Sequence, residues 1–122
     1  MTFSNNKLGS LTKRAEFLFV RDGRYKAVGG IVIQMRENPA HSTIRVGFTA
    51  TKKIGNAVTR NLAKRRLRQI ARSLLPRLGQ AGYDYVFIAR DTTTKRNFER
   101  LLQDAEKALK ALTKPVPKAM TK

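Results

Sequence analysis

The chain has 122 residues, of which 26 are lysine or arginine and 8 are aspartate or glutamate, so its formal net charge is +18 at pH 7. A charge of this size argues against an ordinary acidic-to-neutral enzyme and favours a polyanionic partner. The hydrophobic content of 41% excludes a disordered basic tail, and the absence of cysteine excludes disulfides, thiolate metal sites and cysteine nucleophiles.

The hydrophobic pattern of the first half predicts one helix and two strands. Apolar residues at helical spacing predict a helix over residues 11–22, with Gly23 as its stop. A β-rich stretch over 29–35 and an alternating stretch over 43–51 predict two strands that pair as a hairpin. A short additional strand over 24–28 is compatible with the same pattern.

The second half predicts a helix, a strand and a helix. Asn56 is suited to cap a helix over residues 57–75 or beyond. Residues 84–90 indicate a buried strand, and the threonines at 92–94 could cap a last helix, whose apolar residues repeat at three and four up to Leu112. The order α-β-β-(β)-α-β-α predicts an α+β fold, with a single domain over 1–113 and a flexible basic tail over 114–122.

Positive charge is concentrated in the middle of the chain, where no acidic residue occurs between Glu37 and Asp84. The basic residues of that interval are Arg45, Lys52, Lys53, Arg60, Lys64, Arg65, Arg66, Arg68, Arg72 and Arg77. A helix that is merely solvated usually mixes both signs, so the omission of acids favours a surface that binds nucleic acid. A basic surface that serves only solubility is the alternative.

The helix that begins near residue 57 separates apolar from basic residues. At about 100° per residue, one side carries an apolar stripe and the adjacent side a stripe of four cations and an amide. The apolar stripe comprises Ala63, Leu67, Ile70, Ala71, Leu74 and Leu78, and the polar stripe comprises Asn61, Lys64, Arg65, Arg68 and Arg72. Arg60 lies at the border. Guanidinium groups clamp phosphates in two-point contacts, so this helix is a candidate nucleic-acid-binding element.

The turn before this helix adds a second basic element. Lys52 and Lys53 precede Gly55 and Asn56, toward which the backbone N–H groups of the helix N-terminus point. The turn is therefore a candidate anion site. The alternative is that Gly55 only makes the turn and the lysines are solvated.

Aromatic residues, which would identify the type of nucleic acid, are few at 7% of the chain. Recognition of single strands needs exposed rings for base stacking. Phe17 and Phe19 are two residues apart on the first predicted helix and cannot share one face, so one becomes a stacking candidate if the other is in the core. Packing of both rings into a small core is equally compatible with the sequence.

The run from residue 52 to residue 69 carries a family signature. It reads KKIGNAVTRNLAKRRLRQ. This resembles a run of the bacterial ribonuclease P protein component, in which KK-x-G-x-A-V-x-R-N is followed by K-R and a further arginine. Segments at 11–17, 45–47 and 83–86 resemble the same family. The resemblance covers about residues 8–112, nearly the whole chain.

This resemblance implies an α-β sandwich with a mixed central sheet, in which the basic helix makes an unusual left-handed β-α-β crossover. It also implies that the protein joins ribonuclease P RNA to form an endoribonuclease that removes the 5′ leader of precursor tRNA. In this family the RNA carries out the hydrolysis with Mg²⁺, and the protein binds the leader and strengthens substrate and metal binding. No obligate protein partner is evident.

The resemblance also implies the binding residues. The RNA-binding set falls on Lys52, Lys53, Arg60, Asn61, Lys64, Arg65 and Arg68, to which the helical pattern adds Arg72. The leader-binding cleft, between the first helix and the sheet, would be lined by Phe17, Arg21, Gln34 and Arg90. Leu62 departs from the family, because it replaces an arginine whose contact is either lost or taken by Arg66. Gln34 and Arg21 stand where the family often has aromatic residues, so leader binding is expected to depend on charge and hydrogen bonding more than on stacking.

The sequence offers no catalytic or metal-binding constellation of its own. His41 is the only histidine, and the eight acidic residues show no metal-ligand spacing. A protein-only nuclease should show clustered carboxylates for two metal ions, so a binding subunit is favoured. Two rival functions stay open, namely a ribosomal or other structural RNA-binding protein and a stand-alone nuclease.

The expected location is the cytoplasm. No apolar run is long enough to span a bilayer, and the polar residues 1–7 lack the apolar core of a secretion signal. We therefore expect no membrane partner.

Overall fold

The protein folds as a five-stranded mixed sheet with helices on both faces. A computed structural model describes residues 8–113, and the tail predicted over 114–122 lies outside them. The strands are β1 (Gly9–Ser10), β2 (Arg24–Val28), β3 (Ile31–Glu37), β4 (Arg45–Thr49) and β5 (Tyr83–Ala89), and the helices are α1 (Arg14–Arg21), α2 (Ala57–Leu78) and α3 (Phe98–Thr113). The α+β class and the additional strand at 24–28 are confirmed, whereas β1 was not predicted.

The strand order in the sheet is β1-β4-β5-β3-β2. β4 is parallel to β1 and β5, whereas β3 is antiparallel to β5 and β2. The predicted hairpin between residues 29–35 and 43–51 is therefore wrong. β5 lies between these two segments because its residues 84–87 are buried without interruption, as suits a strand with a neighbour on each side.

Successive side chains along each strand point to opposite faces of the sheet, so each face carries its own hydrophobic cluster. Side chains such as Ile33 and Phe87 belong to the main core, which α2 and α3 cover. On the opposite face, Val20 of α1 packs with Leu11 and Val86 in a smaller cluster. Within residues 8–113, no helix has the length and apolar character that crossing a membrane requires.

α1 lies close against β4 at Gly47. A Cβ atom at this position would lie 2.6 Å from Phe17 Cζ, so the approach requires a glycine. Phe17 and Phe19 are both half-buried against the smaller cluster. The guanidinium of Arg36 lies 4.2 Å from the centre of the Phe19 ring. Both rings thus pack against the smaller cluster, and each keeps part of its surface accessible.

α1 begins later than predicted, at Arg14 rather than at residue 11. Leu11 continues from β1, and its N–H donates to the carbonyl of Val46 at 3.0 Å. The carboxylate of Glu16 accepts hydrogen bonds from the two backbone N–H groups that precede the helix, at 2.8 and 2.9 Å. These bonds lower the pKa of Glu16.

α3 begins at Phe98, and its cap differs from the prediction. Asn97 Oδ1 accepts from two backbone N–H groups of the first turn, at 2.9 and 3.2 Å. The threonines at 92–94 are not the cap. Thr93 is buried, and its hydroxyl donates to the carbonyl of Gly30 and accepts from the N–H of Arg90, both at 2.7 Å. This side chain joins the loop before α3 to the sheet.

Candidate nucleic-acid interface

α2 starts at the predicted cap. Asn56 Oδ1 accepts a hydrogen bond from the N–H of Thr59 at 2.9 Å, and Gly55 has a φ of 145°, in the region that favours glycine. The buried residues of α2 are Ala63, Leu67, Ile70, Ala71, Leu74 and Leu75. The predicted apolar stripe is confirmed, and Leu78 is half-buried at its end. Burial of this side fixes the rotation of α2 about its axis.

The adjacent side of α2 carries the predicted cations. We call the following residues the basic strip: Arg60, Asn61, Lys64, Arg65, Arg68 and Arg72. Arg60 and Lys64 are half-buried, and the other four are exposed. Among residues 8–113, the cations of the strip form no ion pair. Arg77, on the last turn of the same helix, instead lies 3.9 Å from Glu106. The strip therefore keeps its charge for an external anion.

Two depressions run along the basic strip. One of about 570 Å³ is lined by Val58, Asn61, Leu62, Lys64, Arg65 and Arg68. Within it, Val58 is 77% exposed and Leu62 38% exposed. The sequence singled out Leu62 only as a departure from the family and did not single out Val58, although position 58 falls beside the polar stripe on a helical projection. The depression is therefore lined by both positive charge and exposed apolar side chains.

The second depression is a groove of about 420 Å³ between α2 and the edge formed by β1 and β4. Arg68 and Arg72 line it together with Phe48 and Pro76. The Arg68 guanidinium lies 5.7 Å from the centre of the Phe48 ring, within the range of a cation–π contact. This contact orients Arg68 without neutralising it.

Lys52 and Lys53 are exposed on a 3-10 turn, Lys52–Ile54, immediately before α2. They add two positive charges next to the N-terminus of the helix. The structure therefore brings all eight predicted RNA-binding residues onto one helix and the turn that leads into it.

Arg66 does not belong to the basic strip. Its Nη1 donates to the carbonyls of Thr93 and Arg96, at 2.9 and 2.6 Å. Its guanidinium also lies 5.8 Å from the centre of the Phe98 ring. Arg66 thus ties α2 to the loop before α3. Because Arg66 is engaged in this way, it does not replace the arginine that the family has at position 62. The geometry therefore favours the alternative that the contact of that arginine is lost in this chain.

Four residues were predicted to line a cleft between α1 and the sheet: Phe17 and Arg21 belong to α1, Gln34 belongs to β3, and Arg90 follows β5. Gln34 pairs with Val86, and Val86 pairs with Gly47, against which Phe17 lies. Phe17 and Gln34 therefore share one row across the sheet. Arg21 is exposed one helical turn after Phe17, and Arg90 is exposed immediately after β5. Phe17 and Gln34 are therefore close to each other, whereas Arg21 and Arg90 are exposed cations at the ends of α1 and β5.

A partly buried ion-pair network lies at one end of the sheet face that carries α1. Asp84 is fully buried, and Arg45 bonds to both its oxygens, from Nε at 3.0 Å and from Nη2 at 2.9 Å. Asn38 Nδ2 donates to Asp84 at 3.0 Å, and His41 Nε2 lies 2.7 Å from Oδ1. Arg45 also reaches Glu16 of α1 at 3.4 Å. The network joins α1 and the loop between β3 and β4 to the sheet.

The network also determines the charge of Asp84. Burial alone would raise the pKa of Asp84, but the hydrogen bonds from Arg45, Asn38 and His41 outweigh it and hold the pKa below its usual value. The hydrogen bond to Asp84 likewise raises the pKa of Arg45. Asp84 is therefore an ionised carboxylate that stabilises the fold, and the only histidine of the chain is one of its partners.

One exposed aromatic residue was not predicted. Tyr25 of β2 is 69% exposed and lies opposite Gln34 in the ladder. The sequence indicated residues 24–28 only as a strand compatible with the pattern, so no face could be assigned to its side chains. The signal that could have found Tyr25 is the pairing of this strand with residues 31–37.

Comparison with known proteins identifies the family. The family model for ribonuclease P matches residues 6–113. The chain belongs to the ribonuclease P protein family. The ribonuclease P protein component of Ruegeria pomeroyi is 44% identical over 117 residues, which cover 93% of this chain and 94% of that protein. The component of Caulobacter vibrioides is 47% identical over 117 residues, which cover 95% of this chain and 78% of that protein.

The fold of this ribonuclease P protein is shared with solved structures of the family. The RNase P protein of Staphylococcus aureus superposes with a TM-score of 0.75 at 26% identity, over 88% of this chain and 97% of that one. The chain is therefore a protein subunit of an endoribonuclease complex. Its family signature at residues 52–69 coincides with the turn and the helix that carry the exposed cations.

Proposed function

We propose that the chain binds ribonuclease P RNA through the basic strip and the turn that carries Lys52 and Lys53. The observation that supports this most is the position of the strip beside the buried flank of α2, with its cations unpaired within residues 8–113. Exposed guanidinium and ammonium groups bind phosphates by charge-assisted hydrogen bonds and release counterions. Asn61 adds an amide that can donate to, and accept from, a sugar or a base edge.

We further propose that the opposite face of the sheet binds the 5′ leader of precursor tRNA. Phe17 offers part of a ring, Gln34 an amide, and Arg21 and Arg90 offer exposed charge. Because α1 and α2 cover opposite faces of the sheet, the leader and the RNA subunit would contact different sides of the protein. A role in the processing of precursor tRNA implies a cytoplasmic location.

The hydrolysis itself we assign to the RNA and its Mg²⁺. Residues 8–113 contain no group of three or more His, Cys, Asp or Glu side chains that could hold a metal ion. The two buried carboxylates, Asp84 and Asp104, are paired with Arg45 and Arg96. The contribution of the protein is then electrostatic. It reduces repulsion between the phosphates of the two RNAs, which strengthens the binding of both substrate and Mg²⁺.

A reconstitution assay tests this function. The purified chain, ribonuclease P RNA and precursor tRNA are mixed in all combinations at low Mg²⁺, and the 5′ end of each product is mapped. We expect accurate removal of the leader only when the chain and the RNA subunit are both present, because at low Mg²⁺ the cations of the protein are needed to offset phosphate repulsion.

The same assay separates the rival functions. A ribosomal or other structural RNA-binding protein would bind RNA without stimulating cleavage at the mature 5′ end. A stand-alone nuclease would cut precursor tRNA in the absence of the RNA subunit. Either result would contradict the proposed function.

A further inference from the structure

Tyr25 is the only exposed aromatic side chain among residues 8–113, with 69% of its surface accessible. Within the same residues its hydroxyl has no hydrogen-bond partner. The other two tyrosines are packed: Tyr83 lies against Tyr85, and burial raises the pKa of Tyr85 to about 12. The ring of Tyr25 therefore contributes little to the fold and is available to a ligand.

The register of the sheet places Tyr25 on the face that carries α1. Tyr25 lies opposite Gln34, Gln34 opposite Val86, and Val86 opposite Gly47. Residues that are directly opposite in neighbouring strands project from the same face. This row therefore begins at Phe17, which covers Gly47, and ends at Tyr25 on the edge strand β2.

The next row on this face extends the accessible surface. It consists of Ala27, Val32, Ile88 and Thr49, of which the first is exposed and the others are half-buried. Beyond this row, Arg90 is exposed at the end of β5, with its Nη1 3.4 Å from the carbonyl of Gly29. Arg21 is exposed at the other side, where α1 ends before β2. The surface is thus largely apolar between two cations, with a free ring at its border.

We propose that Tyr25 stacks on a base of an unpaired RNA strand that crosses this face, and so supplies an aromatic ring next to Gln34. The inference rests on the proposed function, in which that strand is the leader of precursor tRNA. A base needs a flat π surface, and its phosphate needs a cation within reach. Tyr25 provides the first, and Arg21 and Arg90 provide the second.

A positional exchange tests this assignment, because Tyr25 and Gln34 are neighbours across two strands. Holoenzymes are assembled with the wild-type chain, with Tyr25→Phe, with Tyr25→Thr, and with the double variant Tyr25→Thr/Gln34→Tyr. Threonine removes the ring but retains the β-branched character that suits a strand. Affinity is measured for precursor tRNA with a full leader and for the same tRNA with a leader of one nucleotide.

We expect Tyr25→Thr to lose about fivefold or more in affinity for the full-leader substrate, as expected for one base–aromatic stack, and nothing for the shortened one. Tyr25→Phe should bind like the wild type. The double variant should recover most of the loss, since it returns a ring to the same row. All variants should keep wild-type melting temperatures and wild-type affinity for ribonuclease P RNA, because Tyr25 does not contact α2.

Wild-type affinity of Tyr25→Thr for the full-leader substrate, or an equal loss on both substrates, would overturn the assignment. So would a folded double variant without recovery, or a Tyr25→Phe variant as weak as Tyr25→Thr. These results would leave the proposed function intact provided that the wild-type holoenzyme prefers the full leader. A wild-type holoenzyme that does not distinguish the two substrates would instead refute leader binding by this face, and the assignment with it.

Discussion

Replacement of Arg65 and Arg68 together by glutamine is expected to weaken assembly with ribonuclease P RNA by about 2–4 kcal/mol, roughly 30- to 1,000-fold. Both side chains are exposed, and neither has an ion-pair partner within residues 8–113. Their charge is therefore available to phosphate, and the substitution leaves no buried group unpaired. Affinities from filter binding and single-turnover cleavage rates measure the effect.

The matched control for this variant is Arg77→Gln. Arg77 is an exposed arginine of the same helix, but it lies beside Glu106 and outside the basic strip. It should keep wild-type affinity and cleavage, and both variants should unfold within about 0.5 kcal/mol of the wild type, as surface substitutions do. Equal losses from the two variants would mean that net charge, rather than the basic strip, determines binding.

Asp84→Asn is expected to lower the free energy of unfolding at neutral pH by about 3 kcal/mol, because it breaks a hydrogen-bonded ion pair whose carboxylate is fully buried and leaves Arg45 without its main partner. Denaturant unfolding measures this loss. The matched control is Glu106→Gln, which removes a partly exposed partner of Lys110 and Arg77 and should cost less than about 1 kcal/mol.

The pH dependence of stability gives the same prediction a second readout. The pKa of Asp84 in the folded protein lies below its usual value. The ionised carboxylate therefore stabilises the fold fully above the pKa that Asp84 has in the unfolded chain, and this stabilisation is lost as the pH falls through the pKa that it has in the folded protein. The wild-type protein should therefore lose stability below about pH 4, and Asp84→Asn should lose less over the same interval. Parallel pH profiles of the two proteins would show that Asp84 is not held ionised by the network.

Local patterns predicted the helices better than the pairing of strands. The burial of Leu67 and Ile70 and the cap at Asn56 depend on residues within a few positions of one another, so the sequence displays them directly. The insertion of β5 between β3 and β4 depends on contacts that are distant in the chain, which alternation cannot identify. For the same reason Thr93 resembled a cap, whereas its hydroxyl bonds to Gly30, across the fold.

The candidate site was predictable to a similar degree. Helical periodicity placed Lys64, Arg68 and Arg72 on one side of α2, but it could not show whether acids from elsewhere in the chain neutralise them. The structure shows that two of those acids pair with arginines outside the basic strip: Asp84 pairs with Arg45, and Asp104 pairs with Arg96. The role of Arg66 in holding the loop before α3 was equally hidden, since its partners are backbone carbonyls about thirty positions away.

The dependence of affinity on salt tests most directly whether the basic strip contacts RNA phosphates. The association constant for ribonuclease P RNA is measured from low to moderate salt for the wild type, the Arg65→Gln/Arg68→Gln variant and Arg77→Gln. For about four phosphate contacts we expect a wild-type log–log slope of about −3 or steeper, and a slope flatter by about 1.5 when two contacts are removed. Arg77→Gln should keep the wild-type slope. A double variant whose slope and affinity equal those of the wild type would contradict RNA binding by the basic strip.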